Sequence, residues 1–190
     1  MNHSVLLHRL PSWLDRQVTP RRLCLAMIAA VLLQLAMMPL DRHLHLVSHG
    51  LGKPSLIFGS SAEMLLRQLQ AFGADGRRTL AQLYAIDLVF PTALALTTIQ
   101  GVWLAFRRDL PDVALLLAAI AIAFDLLDLL EKIASFIILA QFPLIETGLM
   151  RFTVTSTSIK LILLATMYVG LLAALLSWLF RRKGKAVQKA

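Results

Sequence analysis

The run VALLLAAIAIAFDLLDLLEKIASFIILA, residues 113–140, decides how this chain folds. It is long enough to cross a bilayer core, for which about 20 apolar residues suffice. Yet FDLLDLLEKI, residues 124–133, carries Asp125, Asp128, Glu131 and Lys132. A charge at bilayer depth costs at least about 2.5–3.5 kcal/mol on insertion scales, so these four must share one side for the run to insert. At about 100° per residue, the three acids fall within roughly a third of the circumference, with Lys132 projecting between Asp125 and Asp128. Ala118, Ala121 and Ser135 extend that stripe, Leu126, Leu127 and Leu130 occupy the opposite side, and Leu129 lies near the boundary. The polar, small face is expected to look into a helix bundle and the leucine face into lipid.

Working outward, three more segments are long enough to span. They are LCLAMIAAVLLQLAMMPL at 23–40, ended by Pro39 and Asp41, then 80–106, and then 153–180. Backbone polar groups cannot stay unsatisfied in hydrocarbon, so all four are helices. Hydrophobic residues make up 58% of the 190, above the 45–50% typical of soluble domains. The fold class is therefore all-α: a polytopic membrane protein with a four-helix bundle forming one domain over residues 1–190. Ahead of the first span, SVLLHRLPSWLDR reads as a short interfacial segment interrupted by Pro11. The loop between the first two spans is too long for a simple connection. Within it, residues 60–72 open with serines and Glu63 and set Leu65, Leu66, Leu69 and Phe72 on one face. This predicts an amphipathic helix on the bundle or membrane surface, stopped by Gly73 and Gly76.

The net charge of +8 would suggest nucleic acid in a soluble chain. Here the basic residues lie mostly outside the apolar runs and no basic patch interleaves aromatics, so no nucleic-acid partner is expected. They read instead as topology signals and contacts for anionic membrane lipids. Arg9, Arg16, Arg21, Arg22, Arg107, Arg108 and the RRKGKAVQK tail fall on one side, while the 3–4 loop holds only Arg151. The expected arrangement is multi-pass, with both termini cytoplasmic. That orientation puts the acids of the third span in the outer half.

Other spans bring polar groups to the same depth. Asp87 shares a face with Tyr84, Pro91 and Thr98, and Pro91, lacking an N–H, frees the Asp87 carbonyl. The fourth span offers Thr153, Ser156, Thr157 and Lys160 on one face, and the first adds Gln34 and Asp41. The expected ligand-binding pocket comprises Asp87, Asp125, Asp128, Glu131, Lys132 and Lys160, with Tyr84 and Thr98 beside them. Four acids against two lysines leave two excess negative charges, favouring a protonated carboxyl or a bound cation. The competing reading is two acid–base pairs that simply hold the helices together.

Further candidates are His43, His45 and His49, at metal-ligand spacing in HLHLVSH, against the reading that they are solvated at the interface. Trp13, Trp103 and Trp178 fit interfacial belts. Cys24 alone excludes an intramolecular disulfide. No phosphate loop, nucleophile elbow or zinc-protease motif occurs. With no histidine inside a span, b-type haem is not expected, and no cofactor is implied.

The stretch AEMLLRQLQAFGADGRRTLAQLYAIDLVFP, with Asp128 and Glu131 later, resembles a pattern in uncharacterised bacterial four-helix integral membrane proteins, which implies a bacterial cell inner membrane. More distantly, the layout is similar to the EXPERA group of sterol isomerases and the sigma-2 receptor. Asp41 and Asp87 fall at places comparable to that group's buried acids. The resemblance implies a pocket for a sterol or lipophilic amine; the intramembrane histidine that the isomerases use is absent here. The expected function is binding of a lipophilic or cationic small molecule or lipid in an outer-leaflet acidic pocket. The alternative is an accessory or assembly subunit of a larger membrane complex or homo-oligomer. A lipid-modifying acid–base enzyme or a proton-coupled transporter comes third.

Overall fold

A computed structural model describes residues 13–48 and 50–187, with side chains described through residue 180. No strand occurs among the described residues. Helix α1 is Pro20–Val47, α2 Ala62–Ala71, α3 Gly73–Ile86, α4 Phe90–Phe106, α5 Pro111–Gln141 and α6 Thr147–Val187. Four stretches are long and apolar enough to cross a membrane: Pro20–Val47, Gly73–Phe106, Pro111–Gln141 and Thr147–Phe180. The chain is a multi-pass, all-α membrane protein.

Helix α1 begins at Thr19, whose Oγ1 accepts from the Arg22 amide at 3.3 Å, with Pro20 in its first turn. It continues past Pro39 to Val47, seven residues beyond the stop expected at residue 40. Pro39 removes one backbone donor, whereas leaving the helix within lipid would orphan several, so the helix persists. His43 and His45 are therefore helical and exposed rather than loop residues. His49 lies outside the described residues, as do Leu6, Leu7, Leu10 and Pro11 of the N-terminal segment.

The second span is broken where Pro91 predicts a weakness. Helix α3 ends with Asp87 as its cap, residues 87–89 turn, and α4 restarts at Phe90 with Pro91 in its first turn. Helix α2 starts at Ser61, whose Oγ accepts from the Met64 amide at 3.1 Å, and buries Leu65, Gln68 and Leu69. It stops where Gly73 takes φ +62°, a conformation costly for other residues. Gly76 does not stop it. It lies inside α3, where a Cβ would come within 2.8 Å of the Phe72 Cβ and 3.1 Å of Val47.

Helix α4 is central, packed against α1, α5 and α6, while α1 runs along α3 and α4, and α2 lies across α6 and α3. One apolar cluster gathers Leu44, Leu69, Leu83, Tyr84 and Ile138 at the end capped by residues 48–61. A second joins Leu94, Phe124 and Met167 at mid-depth. A third joins Leu14, Val18, Trp103 and Ala174 at the end carrying the 107–110 turn. The charged residues of α3, α5 and α6 lie between the first two.

Candidate functional site

Three helices and the 48–61 connection bring six charges into one buried layer. Lys132 of α5 is fully buried and sits 3.0 Å from Asp87 Oδ2, 3.1 Å from Asp128 Oδ1 and 4.0 Å from Glu131 Oε1. Lys160 of α6 sits 2.7 Å from Asp128 Oδ1 and 2.6 Å from Glu131 Oε2. Lys53 Nζ donates to Asp87 Oδ2 from the connection. The chain of contacts runs Lys53, Asp87, Lys132, Asp128, Lys160, Glu131. Neither Glu131 oxygen has a directed hydrogen bond among the described residues, so Glu131 is held by charge alone.

Each charge is placed by local structure. Asp87 caps α3 at the break, so its carboxylate leaves the helix where α3 and α4 part. Asp128 and Lys132 are one turn apart on α5, the spacing at which side chains on a helix meet. Lys53 is delivered by a strapped connection. Gln68 of α2 donates to the Gly52 carbonyl at 3.0 Å, and the Gly59 amide donates to Ser158 Oγ of α6 at 3.1 Å. Gly52, at φ +66°, passes so close to the His45 ring that a Cβ would lie 2.7 Å from it. Burial is the largest influence on Lys53 and holds its ammonium below the ordinary lysine value. Asp87 opposes that, while Lys132 and Lys160 add to it.

Beside this layer lies a cavity of about 140 Å³. Lys53, Asp87, Asp128 and Lys160 line its polar part, and Met37, Phe124, Leu161 and Leu164 line its apolar walls. Asp41 of α1 also lines it, with its side chain 42% exposed and 3.9 Å from His45. Its lining draws on α1, α4, α5 and α6 and on the 48–61 connection.

Of the residues expected in the pocket, Asp87, Asp128, Glu131, Lys132 and Lys160 are brought together. Asp125 is not. It sits at the edge of the buried face, partly exposed, and accepts from Thr92 Oγ1 at 2.9 Å. Thr98 is fully buried, but its hydroxyl donates to the Leu94 carbonyl of its own helix at 3.0 Å, away from the layer. Tyr84 faces it: Lys132 Nζ lies 5.2 Å and Lys53 Nζ 5.9 Å from the ring centre. Trp103, expected at an interface, is 1% exposed and donates from Nε1 to Asp15 Oδ1 at 3.0 Å. Among the described residues, no group of three His, Cys, Asp or Glu side chains stands ready for a metal ion.

Lys53 and Ser55 are the site residues that the spans did not reveal, because they sit in an aperiodic loop. The unbalanced charge count was the available signal. Lys53 enters and Asp125 leaves, so three lysines face three carboxylates and the expected excess of two negative charges disappears. A layer of this kind can receive either sign, since an incoming ammonium competes with a lysine for a carboxylate and an incoming carboxylate or phosphate does the reverse. No protein-family model, no curated protein and no solved structure matches this chain.

Proposed function

We propose that this protein binds an amphipathic small molecule or lipid within the membrane, holding its polar head against the ion-pair layer. One observation carries the reading: the cavity joins five charged groups to apolar walls among α1, α4, α5 and α6. Its volume of about 140 Å³ falls below the roughly 300–1,000 Å³ of sites that enclose a whole small molecule. It therefore suits a head group, with the tail lying along α1 and α6. Asp41 and Asp87, the positions comparable to buried acids of the EXPERA group, both line this cavity. In this reading the protein lies in a bacterial inner membrane with both termini cytoplasmic, which puts the cavity in the outer half.

A second reading is favoured by the three-to-three charge balance. The layer would be purely structural, and the exposed aliphatic faces of α1 and α6 would dock into a homo-oligomer or larger complex, with the protein an accessory subunit.

Thermal unfolding of the detergent-purified protein, against a panel of amphipathic amines, fatty acids and phospholipids, separates the two. A ligand at about 100 times its Kd adds about 2.7 kcal/mol, so one class should raise Tm. Met38→Trp, which fills the cavity from a 39% exposed position, should abolish that rise, while Asp125→Asn should keep it. If no class shifts Tm and another protein or a second copy travels through purification with wild type and Met38→Trp alike, the accessory-subunit reading takes its place.

A further inference from the structure

A second, larger hollow lies towards the 107–110 turn, between α1, α4, α5 and residues 13–18. We propose that it binds a neutral lipid alcohol, a long apolar molecule bearing one hydroxyl group, independently of the cavity at the ion-pair layer. Its volume of about 870 Å³ is that of a site enclosing a whole ligand. Its walls are almost entirely apolar, with Leu25, Ala26, Ile99, Ala119 and Ile122 among them.

Gln17 and Arg22 also line it, but Gln100 of α4 is the buried polar residue of the walls. It is 8% exposed and lines the hollow, and its Oε1 has no hydrogen-bond partner among the described residues. A buried acceptor left unmade is destabilising, more so at a depth where water is scarce. Phospholipid tails carry no donor, so ordinary lipid in the groove leaves that oxygen unmatched. A hydroxyl both donates and accepts, so it satisfies the amide in either orientation. Arg22, the charged residue among those lining the hollow, is already turned onto the side chain and carbonyl of Gln17. Arg22 keeps its charge at an exposed position, whereas the buried amide is neutral and its surroundings are apolar, which favours a neutral ligand there.

The test uses the full chain in lipid nanodiscs with two photoactivatable probes, a diazirine-bearing hexadecanol and the matched diazirine-bearing hexadecane. Labelling is mapped by peptide mass spectrometry. The alcohol should label residues 96–100 and 115–122 about 2–10-fold more than the alkane, the range one net hydrogen bond provides. Gln100→Leu should reduce the alcohol to the alkane's level, with Gln100→Met serving if the leucine variant fails to fold. Ala119→Phe, placed at an exposed wall position, should lower labelling by both probes. Met38→Trp, in the other cavity, should change neither. Equal labelling of wild type by the two probes would overturn the proposal, as would an alcohol preference that survives loss of the amide.

Discussion

The two halves of this bundle hold different kinds of buried polarity. Towards the 48–61 connection, six charges close on one another beneath a strapped loop and α2. Towards the 107–110 turn, one buried neutral amide has an unpartnered oxygen beside an apolar hollow six times larger than the cavity beside the charges (about 870 against 140 Å³). The physical reason is the different penalty for an orphan. An unpaired buried charge costs several kcal/mol, whereas an unpaired neutral polar group costs about 1–3 kcal/mol. A fold of marginal stability can leave the second open, as at Gln100 and at the Ser48 and Ser55 hydroxyls of the capped half, but must close the first. The charged half should therefore dominate stability, and the amide half should tolerate change.

The sharpest way to break that contrast is Lys132→Met. Lys132 is wholly buried with three carboxylates within 4.0 Å, so its removal should cost about 3–5 kcal/mol in denaturant unfolding in detergent. Adding Asp128→Asn rebalances two lysines against two acids and should recover part of the loss. A loss below about 1 kcal/mol would mean that the layer does not anchor the fold.

Lys53→Met should cost less, about 1–3 kcal/mol, because Lys132 still serves Asp87. The variant should also free the 48–61 connection to faster amide exchange. Its pH behaviour carries a definite sign. Lys53 lies below its ordinary value of 10.5 in the folded state, chiefly through burial. The unfolded chain therefore holds that proton more tightly, and stability gains a positive contribution as pH rises from the folded value towards 10.5. Lys53→Met should remove that alkaline gain. In the other half, Gln100→Leu without ligand should be neutral or stabilising by up to about 1 kcal/mol, because it deletes an unmatched acceptor. A large loss there would erase the distinction between the halves.

Much of this was readable from residues alone. The stripe of Asp128, Glu131, Lys132 and Ser135 on one side of α5, with Leu126 and Leu130 on the other, follows from helical periodicity, and those residues are buried and exposed accordingly. Pro91 marked the break at Asp87 because a missing donor acts locally. Periodicity could not say how far a polar face turns inward. Asp125, three residues from Asp128, falls at its edge and is served by Thr92. Nor could it reach Lys53, whose position depends on Gly52 threading past His45 and on a bond from Gln68, contacts between segments distant in sequence. Gln100 carried no signal, since a lone amide in an apolar run is ordinary until its partners are counted.

The smallest effect should come from the clamp that closes the turn end. Asp15 accepts from Trp103 Nε1 at 3.0 Å and from Arg107 at 2.8 Å, with its side chain 52% exposed. The Trp103 N–H, followed by Arg107, holds its carboxyl below the usual value of 3.8 against some desolvation. A carboxylate depressed in the folded state stabilises above its unfolded value and loses that contribution as pH falls through the folded one. Asp15→Asn keeps an acceptor for Trp103 but gives up the charge facing Arg107. In water-exposed surroundings that should cost less than about 1 kcal/mol near pH 7. The difference from wild type should shrink in high salt, begin to close as pH falls below 3.8 and vanish below the folded value. Thermal unfolding across that pH range tests this directly. A loss comparable to that of Lys132→Met would show the turn end to be as dependent on charge as the capped end, and the contrast between them would fall.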